Sequence, residues 1–134
     1  MERVYTTPLL DKLGVHPGSR VALIGQTVTE RWFRELLSER TASIIAGAPT
    51  ERCDLVFLAA DTHDELACLA TLARRIEPAG AIWVVSRKGR AATLRDIEVI
   101  VAAKDAGLVD NKVASFSETH TALRLVVPVA GRRR

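Results

Sequence analysis

Three short polar strings hold the residue types from which a site could be built. Asp61-Thr62-His63-Asp64 puts two carboxylates and an imidazole within four residues, and a histidine beside carboxylates can take or give a proton near neutral pH. Ser86-Arg87-Lys88-Gly89-Arg90 gathers three cations, which together with unpaired backbone N–H groups would hold a phosphate, a carboxylate or an acidic segment of a partner. Gly25-Gln26-Thr27 places a glycine and two polar side chains directly after an apolar run, where a turn lets backbone approach a ligand. Each string also has a plainer role. Asp61 or Thr62 would cap a helix, Asp64 and Glu65 would complement its positive end, and His63 would be solvated. The cations would form a solvated loop, and a lone glycine turns a chain with no ligand involved. His16, His63 and His120 fall in separate turns, so no metal site is expected. Cys53 and Cys68 have neither CxxC nor metal-ligand spacing, and the expectation is two buried free thiols. No P-loop and no nucleophile-elbow motif occurs.

The elements that must position these strings follow from hydrophobic pattern. Thr7 to Leu13 reads as a short helix with Pro8 at its first position and Gly14 just past its end. Arg20 to Gly25, Cys53 to Ala60 and Ala81 to Val85 are short apolar runs of the kind found in strands buried on both faces. Between the first two, Val28, Trp32, Phe33, Leu36 and Leu37 recur at helical spacing, and Trp32, Phe33 and Trp83 are expected in the core. Ala42 to Ala46 predicts a short strand. The roughly eight residues from there to Cys53 reach only about 26 Å, which suits an irregular or edge strand. Thr62 with Glu65 forms a capping-box pattern ahead of Leu66, Leu69, Ala70, Ala73 and Ile76, predicting a helix that ends at Pro78 and Gly80. A further helix is predicted from about Thr93 to Ala106. Asn111 to Phe116 and Ala122 to Val127 predict an antiparallel hairpin joined through Ser117-Glu118-Thr119-His120, with Lys112 and Glu118 pairing across it for at most about 1 kcal/mol. The order of elements is that of an α/β fold, a Rossmann-like three-layer sandwich with a mostly parallel sheet. In such a sheet ligands bind beyond the carboxyl ends of the strands. All three polar strings should gather there in one cleft, and the candidate ligand-binding residues are Gly25, Gln26, Thr27, Asp61, His63, Arg87 and Lys88.

Composition narrows the function classes. The chain has 134 residues with 19 Lys and Arg against 16 Asp and Glu. Without Arg132, Arg133 and Arg134 it carries 16 of each sign, so its basicity belongs to its terminus. A face that neutralises many phosphates should carry a cationic excess in the folded part. Nucleic-acid binding is therefore not expected, apart from what the arginine tail alone would supply. With 48% apolar and 26% charged residues, the expectation is one domain over residues 1–130 followed by a flexible basic tail at 131–134. No apolar stretch approaches the roughly 20 residues a membrane helix needs. The opening Met1-Glu2-Arg3-Val4-Tyr5 lacks the layout of a secretion signal, so a cytoplasmic protein is expected. Fifteen arginines against four lysines suit a GC-rich bacterial genome.

Four strings carry a resemblance: KLGVHPGSRVALIG (Lys12 to Gly25), CDLVFLAA (Cys53 to Ala60), PAGAIWVVSRKG (Pro78 to Gly89) and AGLVDNKVASFSETHTALRLV (Ala106 to Val126). Together they resemble an uncharacterised family of short bacterial proteins, common in actinobacteria, that look like class I S-adenosylmethionine-dependent methyltransferases with the middle strand-helix unit missing. The resemblance implies the fold and no established activity. A methyltransferase of this type would carry several glycines after its first strand and an acidic residue ending the next one. This chain has Gly25 alone, then Gln26-Thr27-Val28-Thr29-Glu30, and Gly47-Ala48-Pro49 after Ala46. Both cofactor elements are degraded, and no bound cofactor is expected. Two readings stand. In one, the chain is a non-catalytic ligand-binding or regulatory module for a small molecule or protein partner. In the other it is a methyltransferase or other small-molecule enzyme, with Asp61 and His63 moving protons and Arg87 and Lys88 holding an anionic substrate. An exposed hairpin edge would also allow pairing with a second copy.

Overall fold

The computed structural model describes residues 7–128. The arginine tail expected at 131–134 lies outside the described residues. Helices α1 (Thr7–Leu13), α2 (Arg31–Ser38), α3 (Leu69–Ala73) and α4 (Asp96–Asp105) flank six strands, β1 (Val21–Ile24), β2 (Ile44–Ala46), β3 (Cys53–Ala59), β4 (Ile76–Arg87), β5 (Val109–Ser115) and β6 (His120–Val126). The strands form one sheet in the order β2-β1-β3-β4-β6-β5. β1 runs parallel to β2 and β3, and β3 parallel to β4, whereas β6 is antiparallel to both β4 and β5. The expected mostly parallel sheet with an antiparallel C-terminal hairpin is the one observed. No helix among the described residues is long and apolar enough to cross a membrane.

Alternation along the central strands explains the three layers. Leu55 and Phe57 of β3, with Ala81, Trp83 and Val85 of β4, face one side and pack with Leu10, Leu13, Phe33 and Leu37. Val56 and Leu58, with Ile82 and Val84, face the other and pack with Leu69, Leu72, Val99 and Ala103. Successive side chains of a strand point to opposite faces, so a strand covered on both must be apolar throughout. The short β2 takes the edge beside β1, Ile44 opposite Val21, as its lack of a following helix predicts.

Several expectations need correction. The helix predicted to run through Ile76 is broken into a 3-10 turn at Asp64–Leu66 and the five-residue α3. Ile76 instead opens β4, opposite Cys53, whose N–H donates to the Arg75 carbonyl at 2.9 Å. β4 then bulges, so that the next partner of β3, Leu55, faces Ala81. Pro78 suits the bulge because it has no N–H to place in the ladder. Gly80 is demanded there, since a Cβ at this position would sit 2.6 Å from the Asp54 carbonyl oxygen. The fourth helix starts at Asp96, three residues later than predicted, and a 3-10 turn at Gly89–Ala91 precedes it. Lys112 does not pair with Glu118. It lies opposite Arg124, and its Nζ donates to the Lys12 carbonyl at 2.9 Å, tying the hairpin to the end of α1. Trp32 is 41% exposed, while Phe33 and Trp83 are fully buried. Helical spacing placed Trp32 on the apolar face, but α2 begins at Arg31, and Trp32 in its first turn meets Phe33 and Phe116 and lines an open hollow.

Candidate functional site

The carboxyl ends of β1, β3 and β4 present the three polar strings, and each is tied into internal contacts. After β1, Gly25 has φ +101°, and a Cβ placed on it would lie 2.7 Å from the Ala59 Cβ. Its glycine character is thus required by the neighbouring strand. Thr29 Oγ1 donates to the Gly25 carbonyl at 2.9 Å and to that of Gln26 at 3.1 Å, closing the turn Thr27–Thr29 on itself. After β3, Asp61 is a latch between loops. Its Oδ1 accepts the Arg87 N–H at 2.9 Å, its carbonyl accepts the Thr93 hydroxyl at 2.7 Å, and its own N–H donates to Glu65 Oε1 at 2.6 Å. The capping box forms as its pattern predicts: Glu65 N–H donates to Thr62 Oγ1 at 3.2 Å, and Thr62 N–H donates to Glu65 Oε1 at 3.1 Å.

His63 is taken up by the fourth helix. Its Nε2 meets Glu98 Oε1 at the start of α4, beside a shallow depression of about 240 Å³ between α3 and α4. Glu98 is held first by the Arg95 backbone N–H at 3.0 Å, then by the Arg95 guanidinium at 3.2 Å, and His63 adds to both. The Arg95 donors, with His63, lower the Glu98 carboxyl below its ordinary value. A carboxylate lowered on folding stabilises the fold above its unfolded value, and that contribution is lost as pH falls through the lowered one. Thermal unfolding followed below the ordinary glutamate range should therefore show the wild type losing stability that Glu98→Gln never has. Parallel curves for the two proteins would remove this contact from the account.

After β4, Arg87 reaches Asp61 Oδ2 through Nε at 3.8 Å, so these two candidate ligand-binding residues partly neutralise each other. Lys88 Nζ donates to Ser115 Oγ at 3.0 Å, and the Lys88 N–H donates to the Thr119 carbonyl at 3.0 Å. Burial pushes the Cys53 thiol up to about 11, with Asp54 adding to the effect, so Cys53 is not a thiolate nucleophile at neutral pH.

Open space at this edge lies around the hairpin turn. A hollow of about 330 Å³ is lined by Thr27, Glu30, Trp32 and Phe116 together with Ser117 to His120. A second, of about 400 Å³, is lined by Arg87, Lys88 and Ala91 with Glu118, Thr119 and His120. Of the predicted residues, Thr27 lies in the first and Arg87 and Lys88 in the second. His120 stands between them. Its Nδ1 lies 2.8 Å from Thr119 Oγ1, and its Nε2 is out of solvent with no partner among the described residues. A buried polar atom left unpaired costs about 1–3 kcal/mol. Glu30, Trp32, Glu118 and Thr119 were not among the predicted residues. The signal that points to them is topological: β6 runs antiparallel to β4, Arg87 opposite His120, so the turn before β6 must lie where β4 ends. Two further depressions, near Arg20 and Glu51 and near His16 and Glu77, open at the amino ends of the strands, away from this edge.

The model of the family described as Protein of unknown function (DUF3052) matches residues 11–129. The chain belongs to the DUF3052 family. No curated protein sequence matches it significantly. Solved structures of methyltransferases are similar to this DUF3052 chain in fold. The CcbJ methyltransferase from Streptomyces caelestis superposes with a TM-score of 0.65 at 11% identity, over 91% of this chain and 88% of that one. Magnesium protoporphyrin IX methyltransferase (ChlM) from Synechocystis PCC 6803, solved with bound SAM, gives 0.66 at 13% identity, over 92% and 76%. A SAM-dependent methyltransferase from Aquifex aeolicus gives 0.64 at 13% identity, over 91% and 89%. At these identities the likeness concerns the fold, and it matches the methyltransferase-like architecture that the four strings implied.

The fold family implies S-adenosylmethionine, and the residues present do not fit it. Gly25, where Ala59 leaves no room for a side chain, is followed by no second glycine before Gly47. After β2 the chain reads Gly47-Ala48-Pro49, and the next acid, Glu51, pairs with Arg20 at 2.8 Å beside the amino end of β1. Neither a glycine cradle nor a ribose-binding carboxylate is assembled.

Proposed function

We propose that this DUF3052 chain is a ligand-binding or regulatory module built on a methyltransferase fold, not a S-adenosylmethionine-dependent catalyst, and that its binding end is the hairpin side of the carboxyl edge. The observation that carries this reading is where the space lies. Gly25 lines neither of the hollows at this edge, and both of them flank His120. Thr27, Arg87 and Lys88 are the residues from the three polar strings that face that space. Asp61 and Gly25 then serve the scaffold, and Gln26 and His63 stand outside the seat.

Calorimetric titration of the purified chain with S-adenosylmethionine, and separately with S-adenosylhomocysteine, tests this directly. The expected result is no saturable heat with either. Saturable binding in the micromolar range would overturn the reading and return the chain to the enzymes of its fold.

A further inference from the structure

We propose that the hollow of about 330 Å³ beside the hairpin turn is a seat for a small organic cation, a protonated or quaternary amine, held between the Trp32 ring and the carboxylates of Glu30 and Glu118. This rests on reading the hairpin side as the binding end, and it adds the chemistry of the ligand.

Three separate features meet in this hollow. The first is an aromatic wall. Trp32 is 41% exposed yet held in place: its indole N–H donates to Glu30 Oε1 at 2.9 Å, and its ring lies 5.5 Å from that of Phe33 and 5.4 Å from that of Phe116. A tryptophan already fixed by neighbours loses little freedom when a cation stacks on its open face, and the negative face of the ring attracts one. The second is charge. Glu30 and Glu118 line the same hollow, and among the described residues neither has an ion-pair partner. The nearby cations stand on the other side of the turn, where Arg87 contacts Asp61 and Lys88 donates to Ser115. Glu118 lines both hollows and Glu30 only the aromatic one, so the two hollows adjoin at the turn. The third is His120, which lines the hollow and whose Nε2, out of solvent, has no partner among the described residues. Butylammonium carries N–H groups whose hydrogen bonds the carboxylates can accept, and tetramethylammonium has none, so comparing the two separates hydrogen bonding to Glu30 and Glu118 from attraction to the ring.

The test follows the two indole N–H signals of the isotope-labelled full chain by nuclear magnetic resonance, with Trp32→Phe identifying the Trp32 signal. The probes are n-butylammonium chloride and tetramethylammonium chloride, each compared with sodium chloride at matched ionic strength. Both amines are expected to move the Trp32 signal to saturation and leave that of the buried Trp83 in place, with butylammonium binding more tightly. Glu118→Gln, in an exposed turn, should weaken amine binding about tenfold, and an unmoved Trp83 signal shows that the variant is folded. Glu30→Gln should weaken it too. The proposal falls if the amines move Trp32 no further than sodium chloride does, or if both variants bind amines as the wild type does. Its failure is distinguishable from that of the reading it rests on. Amine saturation alongside micromolar S-adenosylmethionine binding keeps the seat and removes the non-cofactor reading; no amine saturation and no S-adenosylmethionine binding removes the seat alone.

Discussion

Replacing Gly25 by alanine is expected to lower the unfolding free energy by about 2–5 kcal/mol, from a left-handed backbone penalty of roughly 1–2 and an overpacking penalty of roughly 1–3. Both penalties have a visible source. Gly25 has φ +101°, and the added methyl would meet Ala59 Cβ at 2.7 Å and the Ala59 carbonyl oxygen at 3.3 Å. The obstacle is a β-carbon attached to a central strand, which has no flexible end to swing aside. Ala59 pairs with Val85 on β4, so moving it would disturb the ladder at the edge where the hollows open. Urea denaturation followed by circular dichroism measures the loss. A change below about 0.5 kcal/mol, the range of an ordinary surface substitution, would show that the turn after β1 has room for a side chain and that Ala59 does not require a glycine there.

What the sequence made legible was decided by how local each signal is. The strands of β1, β3 and β4 announce themselves because burial on both faces demands unbroken apolar runs such as Leu55 to Leu58 and Ile82 to Val85, although the equally apolar Val99 to Ala103 is helical. The capping box between Thr62 and Glu65 is a three-residue matter and forms as its pattern predicts. The helix behind it does not, because the partner that takes Ile76 is Cys53 on another strand. Helical periodicity from Leu66 to Ile76 is a local preference, and a ladder position beside β3 outweighs it. Asp61 shows the same limit at the site. Its place after β3 was legible, but its commitment to Arg87, Thr93 and Glu65 depends on where three other segments arrive. Trp32 and Glu118 are distant in sequence and line one hollow because an antiparallel β6 returns the chain to the end of β4. No spacing rule within either segment carries that information.

The second large effect is expected at Trp83, where truncation to alanine should cost about 3–5 kcal/mol, a large share of the roughly 5–15 kcal/mol that holds a domain together. Trp83 is fully buried at the centre of β4, between Phe57 of β3 and Arg124 of β6 in the ladder. Its indole N–H donates to the Leu13 carbonyl at 3.0 Å. The last carbonyls of a helix have no partner within it, so α1 is fastened to the sheet by a side chain that satisfies one of them inside the core. Two losses are therefore separable. Trp83→Ala removes ring and donor together. Trp83→Phe keeps most of the apolar volume and strands the Leu13 carbonyl, for about 1–3 kcal/mol. The phenylalanine variant should weaken α1 selectively, seen as faster amide exchange at Val15, whose N–H donates to the Leu10 carbonyl at 3.0 Å, with little change at Val56 in β3. Equal acceleration at both amides would mean that α1 and the sheet open as one unit, and that the indole bond is only one of many contacts joining them. No acceleration at Val15 beyond the global loss would mean that Leu10 and Leu13, buried residues of α1, hold the helix without it.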